Sequence, residues 1–117
     1  MNFLWIAILS IFPLAGNVDD CSAALDAVKR ASNVTQEGIY TEYPDERSYV
    51  VGKVQEYAQS LSNDLSQCGC ADTKEELRAY TEKVTEAAAA KAGEQAEILK
   101  LASEQLDKIL AKIEACQ

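Results

Sequence analysis

Few residue types in this sequence can do chemistry, and four cysteines lead them: Cys21, Cys68, Cys70 and Cys116. Two stand one residue apart in "LSQCGCADTKEE", residues 65–76. Such a pair can be a dithiol redox centre, half of a metal site, or the landing place of two separate disulfides. A reactive dithiol would gain from Cys70 preceding a candidate helix, since a helix N-terminus lowers a thiol pKa. It would also leave Cys21 and Cys116 to bond each other, with no neighbouring base, aromatic platform or thioredoxin-like strand pattern in support. A four-cysteine zinc or iron site lacks the paired C-x-x-C knuckles such sites use. Two structural disulfides are the reading that suits a small secreted domain. A Cys68–Cys70 bond would strain so small a ring. Cys21–Cys68 with Cys70–Cys116 and the crossed pairing both stay open, and each bond closes a loop worth roughly 4 kcal/mol in the chain-entropy view.

The remaining chemistry is defined by what is missing. The chain has no histidine, which removes Ser-His-Asp and Cys-His catalysis, histidine zinc sites and histidine haem ligation. The net charge is −8, so nucleic-acid backbones and anionic membrane surfaces, which need Lys/Arg clusters, are poor partners. The acidity is uneven: residues 17–72 carry 10 acids against 4 bases, and 73–117 carry 9 against 7. That excess serves solubility or recognition of a cationic partner. Paired carboxylates (Asp19 with Asp20, Asp45 with Glu46, Glu75 with Glu76) fall near helix starts, where the helix dipole accounts for them. There is no EF-hand spacing and no Gly-rich phosphate loop. "NVT" at Asn33–Thr35 is a glycosylation sequon, expected where the first helix ends. No enzyme activity, cofactor or metal is expected.

Residues 3–15, "FLWIAILSIFPLA", followed by small residues, read as a secretory leader cleaved after about residue 16. The run is too short to span a bilayer, which takes about 20 apolar residues. Residues 17–117 then form one secreted domain with no stable membrane insertion.

The elements that must position the cysteines are helices, since apolar residues recur at three and four and strand alternation is absent. Cys21, Ala24, Leu25, Val28 and Ala31 mark a first helix, with Asn17 or Asp19 as its cap. A second runs from about Asp45 to Gln67 on Val50, Val54, Tyr57, Leu61 and Leu65. Thr73 to Glu76 offers a capping box for a third, with Leu77, Tyr80, Val84, Ala87 and Ala88 inward. The last stripe is Leu99, Ala102, Leu106, Ile109, Ile113 and Cys116.

Propensity alone allows residues 73–116 to be one helix, some 66 Å long. That would carry Cys116 far beyond disulfide reach of Cys70, unless a second, antiparallel chain supplied the partner in a swapped dimer. The expected fold is therefore an all-α, disulfide-stapled, up-down-up-down four-helix bundle, monomeric, bent at Ala92–Gly93 where glycine makes a turn inexpensive. Three helices with a long C-terminal one is the alternative.

Residues 34–44, "VTQEGIYTEYP", fit no helix face and are expected as a loop displaying Ile39, Tyr40 and Tyr43. Tyrosine anchors interfaces, and these side chains are expected either to meet a partner or to fold over the open pole as a lid. The functional expectation is a secreted, non-enzymatic binding protein whose partner is an unknown extracellular protein. A carrier of a small apolar ligand, using slack left by the many alanines, is the second reading. A thiol-disulfide oxidoreductase acting through the CGC pair is a remote third.

Overall fold

The computed structural model describes residues 21–117; the leader lies outside them, as do Asn17 and Asp19, and the N-cap position of the first helix falls instead to Cys21, which makes no side-chain cap bond. Four helices follow one another: α1 Ser22–Tyr40, α2 Pro44–Ser66, α3 Lys74–Ala89 and α4 Ala92–Cys116. Short connections make consecutive helices antiparallel, and α1 closes the ring against α4. Of the four neighbouring pairs, α2 and α3 touch least.

Each helix buries most of the residues its periodicity marks, with Leu25 and Leu77 half-buried at the edge. Ala24, Val28 and Ala31 from α1, Val50, Val54, Leu61 and Leu65 from α2, Tyr80 and Val84 from α3, and Ala102, Leu106, Ile109 and Ile113 from α4 form one continuous core. Fully burying a Val, Leu or Ile contributes about 1.5–3 kcal/mol. Ile39, Val51, Ala87 and Leu99 make a smaller cluster towards the other pole. Tyr57, expected inward, is half-exposed while its neighbour Ala58 is buried, and Ala88 is exposed beside buried Ala87. At the first of these the smaller side chain suits the close approach.

Three local expectations are corrected. The loop expected at 34–44 is helical as far as Tyr40, because Val34, Thr35, Gly38 and Ile39 continue the inward face of α1. Gly38 is there for closeness: a Cβ would stand 2.9 Å from Leu99 Cδ1. The chain then turns in three residues, and α2 starts with Pro44 at its first position and Asp45 and Glu46 in its first turn, a favourable order for an N-terminus.

Second, the Thr73–Glu76 capping box does not form. Thr73 caps α3 by position with no side-chain hydrogen bond. Glu76 instead pairs with Lys112 Nζ at 2.9 Å, on the last helix.

Third, the break between α3 and α4 is one to three residues earlier than expected. Ala90 and Lys91 are both extended, with ψ of 162° and 152°, and Gly93 lies in the first turn of α4 with no positive φ. Gln95 closes this turn, its Nε2 donating to Ala87 O at 3.0 Å from a buried position. A side chain thus supplies the stop signal that glycine was expected to provide, and the single long helix of the alternative is not formed.

Candidate functional site

The bundle has two unlike ends. At one, the start of α1, the α2–α3 connection and the end of α4 converge, and the cysteines bond there as Cys21–Cys68 and Cys70–Cys116, with Cα–Cα distances of 4.6 and 5.7 Å. The uncrossed pairing is the one formed. Cys68 and Cys70 are each tied to a different helix end, so the CGC segment holds no dithiol. The four Sγ atoms lie within 4.8 Å of one another, a grouping that could ligate a metal only as thiolates; bonded pairwise they present none. Alongside, Lys112 Nζ also donates to Asp72 O at 3.0 Å, and this lysine draws the Glu76 carboxyl below its ordinary pKa, chiefly through their hydrogen bond.

The opposite end has no covalent staple. Arg47, in the first turns of α2, takes that place: Nε donates to Gly38 O at 3.1 Å, Nη2 to Thr41 O, and Nη1 to Ala92 O at 3.4 Å. One guanidinium thereby ties the C-terminus of α1 and the connecting turn to the start of α4. Carbonyls at a helix C-terminus lack intrahelical donors, and a forked cation satisfies several at once. Thr41 Oγ1 donates to Glu46 Oε2 at 3.1 Å, pinning the turn to α2 a second time.

On this clamped end three tyrosines face solvent: Tyr40, Tyr43 and Tyr49 are 73%, 63% and 67% exposed. Tyr40 and Tyr49, with Glu37, Thr41, Glu46 and Val50, line a shallow hollow of about 600 Å³. Glu42 and Asp45 are exposed beside it. Lys53 Nζ stands 5.0 Å from the centre of the Tyr49 ring, within the range of a cation–π contact.

Of the residues expected here, Tyr40 and Tyr43 are on the surface and Ile39 is not; it is 6% exposed, packed with Val51 and Leu99. Ile39 is therefore not displayed for contact but folds back onto this pole, whereas the two tyrosines stay in solvent. Tyr49 was not singled out from the sequence, although it falls off the Val50–Val54–Leu61 stripe, which is the signal that a helical residue faces out. Asn33 is exposed, but within α1 and not at its end, and its sequon partner Thr35 is fully buried.

Two further features lie away from this end. An open groove of about 640 Å³ runs between α2 and α3, the least tightly packed neighbouring pair, floored by Ala58, Leu77 and Val84 and edged by Gln59, Lys74 and Arg78. Inside, Thr35 donates to Ala31 O at 2.7 Å and lies 3.2 Å from the Tyr80 hydroxyl. Threonine has one hydroxyl hydrogen, already given to Ala31, so Tyr80 must be the donor across the core. Burial raises the Tyr80 pKa, against a smaller lowering by the Thr35 hydrogen bond, and keeps the phenol protonated for that role.

No protein-family model, curated protein or solved structure matches this chain. The described residues define a disulfide-linked all-α bundle, and function has to be argued from the surface alone.

Proposed function

We propose that the protein is a secreted, non-enzymatic binding protein that engages a cationic segment of an extracellular partner through its tyrosine-rich end. The observation that carries this is the grouping of exposed Tyr40, Tyr43 and Tyr49 among Glu37, Glu42, Asp45 and Glu46. Tyrosine gives rigid, amphipathic contact area at low entropic cost, and carboxylates among the rings select for Lys or Arg. The Lys53 ammonium over Tyr49 illustrates how such a surface receives a cation. Secretion is supported by the leader-like residues 3–15, by two disulfides, which persist in oxidising compartments, and by the finding that no described helix is long and apolar enough to cross a membrane.

The test uses unmodified protein made in bacteria and an unstructured Lys/Arg-rich peptide as probe. Wild type should bind it with an affinity that weakens as salt rises, as screened charges require. The triple variant Tyr40→Ser, Tyr43→Ser, Tyr49→Ser should lose at least about tenfold, or 1.4 kcal/mol, with its thermal midpoint unchanged because these side chains are exposed. Equal affinity in the variant would refute the reading.

The groove between α2 and α3 supports a second reading, a carrier of a small apolar ligand. Its volume lies within the range of ligand pockets, roughly 300–1,000 Å³, but it is an outer groove and not the interior cavity the alanines suggested. Displacement of a fluorescent fatty-acid probe, lost on Ala58→Glu, would favour it over the first.

A further inference from the structure

An enzyme that modifies a tyrosine on a folded protein needs the phenol in solvent, a backbone already extended at the acceptor, and a charge pattern it can recognise. Tyr43 alone meets all three. It lies in the non-helical connection between α1 and α2, with φ −103° and ψ 126°, and its side chain is 63% exposed. Glu42 precedes it and Asp45 and Glu46 follow after Pro44, all exposed. Tyr40 and Tyr49 are equally open but sit on helical backbone; Tyr57 is half-exposed on α2, and Tyr80 is buried with its hydroxyl engaged.

The flanking carboxylates indicate the group transferred. A transferase whose donor is an anionic nucleotide has a basic groove, and acidic flanks dock into such a groove. From these features, and resting on the secretory reading above, we infer that Tyr43 is an acceptor for O-sulfation in the secretory pathway. The donor is a nucleotide phosphosulfate. The bond between its sulfuryl sulfur and the phosphate oxygen breaks, a bond from that sulfur to the Tyr43 phenol oxygen forms, and the phenol proton passes to a base of the transferase. The nucleotide leaves as its phosphate, and nothing is oxidised or reduced. The product places one more fixed negative charge, with three acceptor oxygens, beside Glu42 and Glu46, and so strengthens the surface for Lys and Arg.

The test expresses the full 117-residue sequence in eukaryotic secretory cells whose sulfation of a co-expressed reference protein has been verified. Mass spectrometry should find one sulfuryl group on the peptide containing Tyr43. The group should resist phosphatase, vanish when the cells grow in chlorate, which blocks donor synthesis, and be absent from Tyr43→Phe while persisting in Tyr40→Phe and Tyr49→Phe. An unmodified Tyr43 peptide, wherever in the culture the protein is found, overturns the inference, as does an added mass retained in Tyr43→Phe. The binding surface itself is judged separately, on the unmodified bacterial protein.

Discussion

The hydrogen bond that crosses the core from Tyr80 on α3 to Thr35 on α1 permits a prediction in which a second substitution repairs the first. Both side chains are fully buried, and the bond runs one way, because the Thr35 hydrogen is committed to Ala31 O. Thr35→Val keeps the shape but leaves the Tyr80 hydroxyl with its hydrogen unsatisfied in the core. An orphaned buried donor costs about 1–3 kcal/mol, and at about 4–8 °C per kcal/mol for a domain of this size a midpoint fall of roughly 4–24 °C is expected. Tyr80→Phe costs less, about 1 kcal/mol, since Thr35 retains its bond to Ala31. Adding Tyr80→Phe to Thr35→Val removes the orphan, so the double variant should regain about 1 kcal/mol over Thr35→Val alone. Thermal and denaturant unfolding of all four proteins, with disulfides intact, closes the cycle. A double variant that loses the sum of the two single losses would refute the coupling of the two hydroxyls across the core.

Arg47→Ala should cost about 2 kcal/mol, since it strands the Gly38 and Thr41 carbonyls formerly served by a charged donor, and Arg47→Lys should recover less than half because an ammonium lacks the fork; amide exchange should quicken first around residues 39–43 and 90–94. Gly93→Ala, in a helical turn where an added Cβ meets nothing within 4 Å, should raise stability by about 0.5–1 kcal/mol and leave elution on size exclusion unchanged, whereas a shift to dimer would show that the turn does use the glycine. The Glu76 carboxylate, its pKa lowered by Lys112, binds fewer protons folded than unfolded in acid. Its contribution is therefore full above the ordinary value of 4.5 and is lost as pH falls through the lowered one. The stability gap between wild type and Lys112→Met should accordingly narrow below about pH 4, and a gap that stays constant would show that the ion pair contributes nothing.

Much of the architecture was legible because two independent constraints agreed. Apolar spacing marked four inward stripes, and the cysteines demanded that three chain segments meet at one pole; within a single chain the two disfavour the continuous helix that propensity allows, which stays open from sequence only as a swapped dimer. What escaped was whatever depended on a partner distant in sequence. Nothing local says that Glu76 will prefer Lys112 on α4 to the backbone of its own helix, or that Gln95 will close the α3–α4 turn. Residues 34–40 read as a loop from sequence because Thr35, Gln36 and Gly38 look like loop residues until Tyr80, Ser103 and Leu99 are set opposite them: Thr35 meets a phenol, Gln36 donates to Ser103 Oγ at 2.8 Å, and Gly38 lets Leu99 approach. The tyrosine-rich end was half visible. Tyr40 and Tyr43 were marked as side chains no helix face claims, Ile39 was wrongly grouped with them, and Tyr49 and Arg47 went unnoticed, the one for being on a helix and the other for bonding only to carbonyls.

The central claim is that the end bearing Tyr40, Tyr43 and Tyr49 is where this bundle meets a cationic partner. Backbone amide shifts of isotopically labelled, unmodified protein, followed while the Lys/Arg-rich peptide is added, test it most directly. The largest changes should fall at residues 37–49 and fade as salt is raised, with the disulfide pole unmoved. Changes centred on the α2–α3 groove, at residues 55–62 and 74–85, or no change at residues 37–49 under saturating peptide, would contradict it.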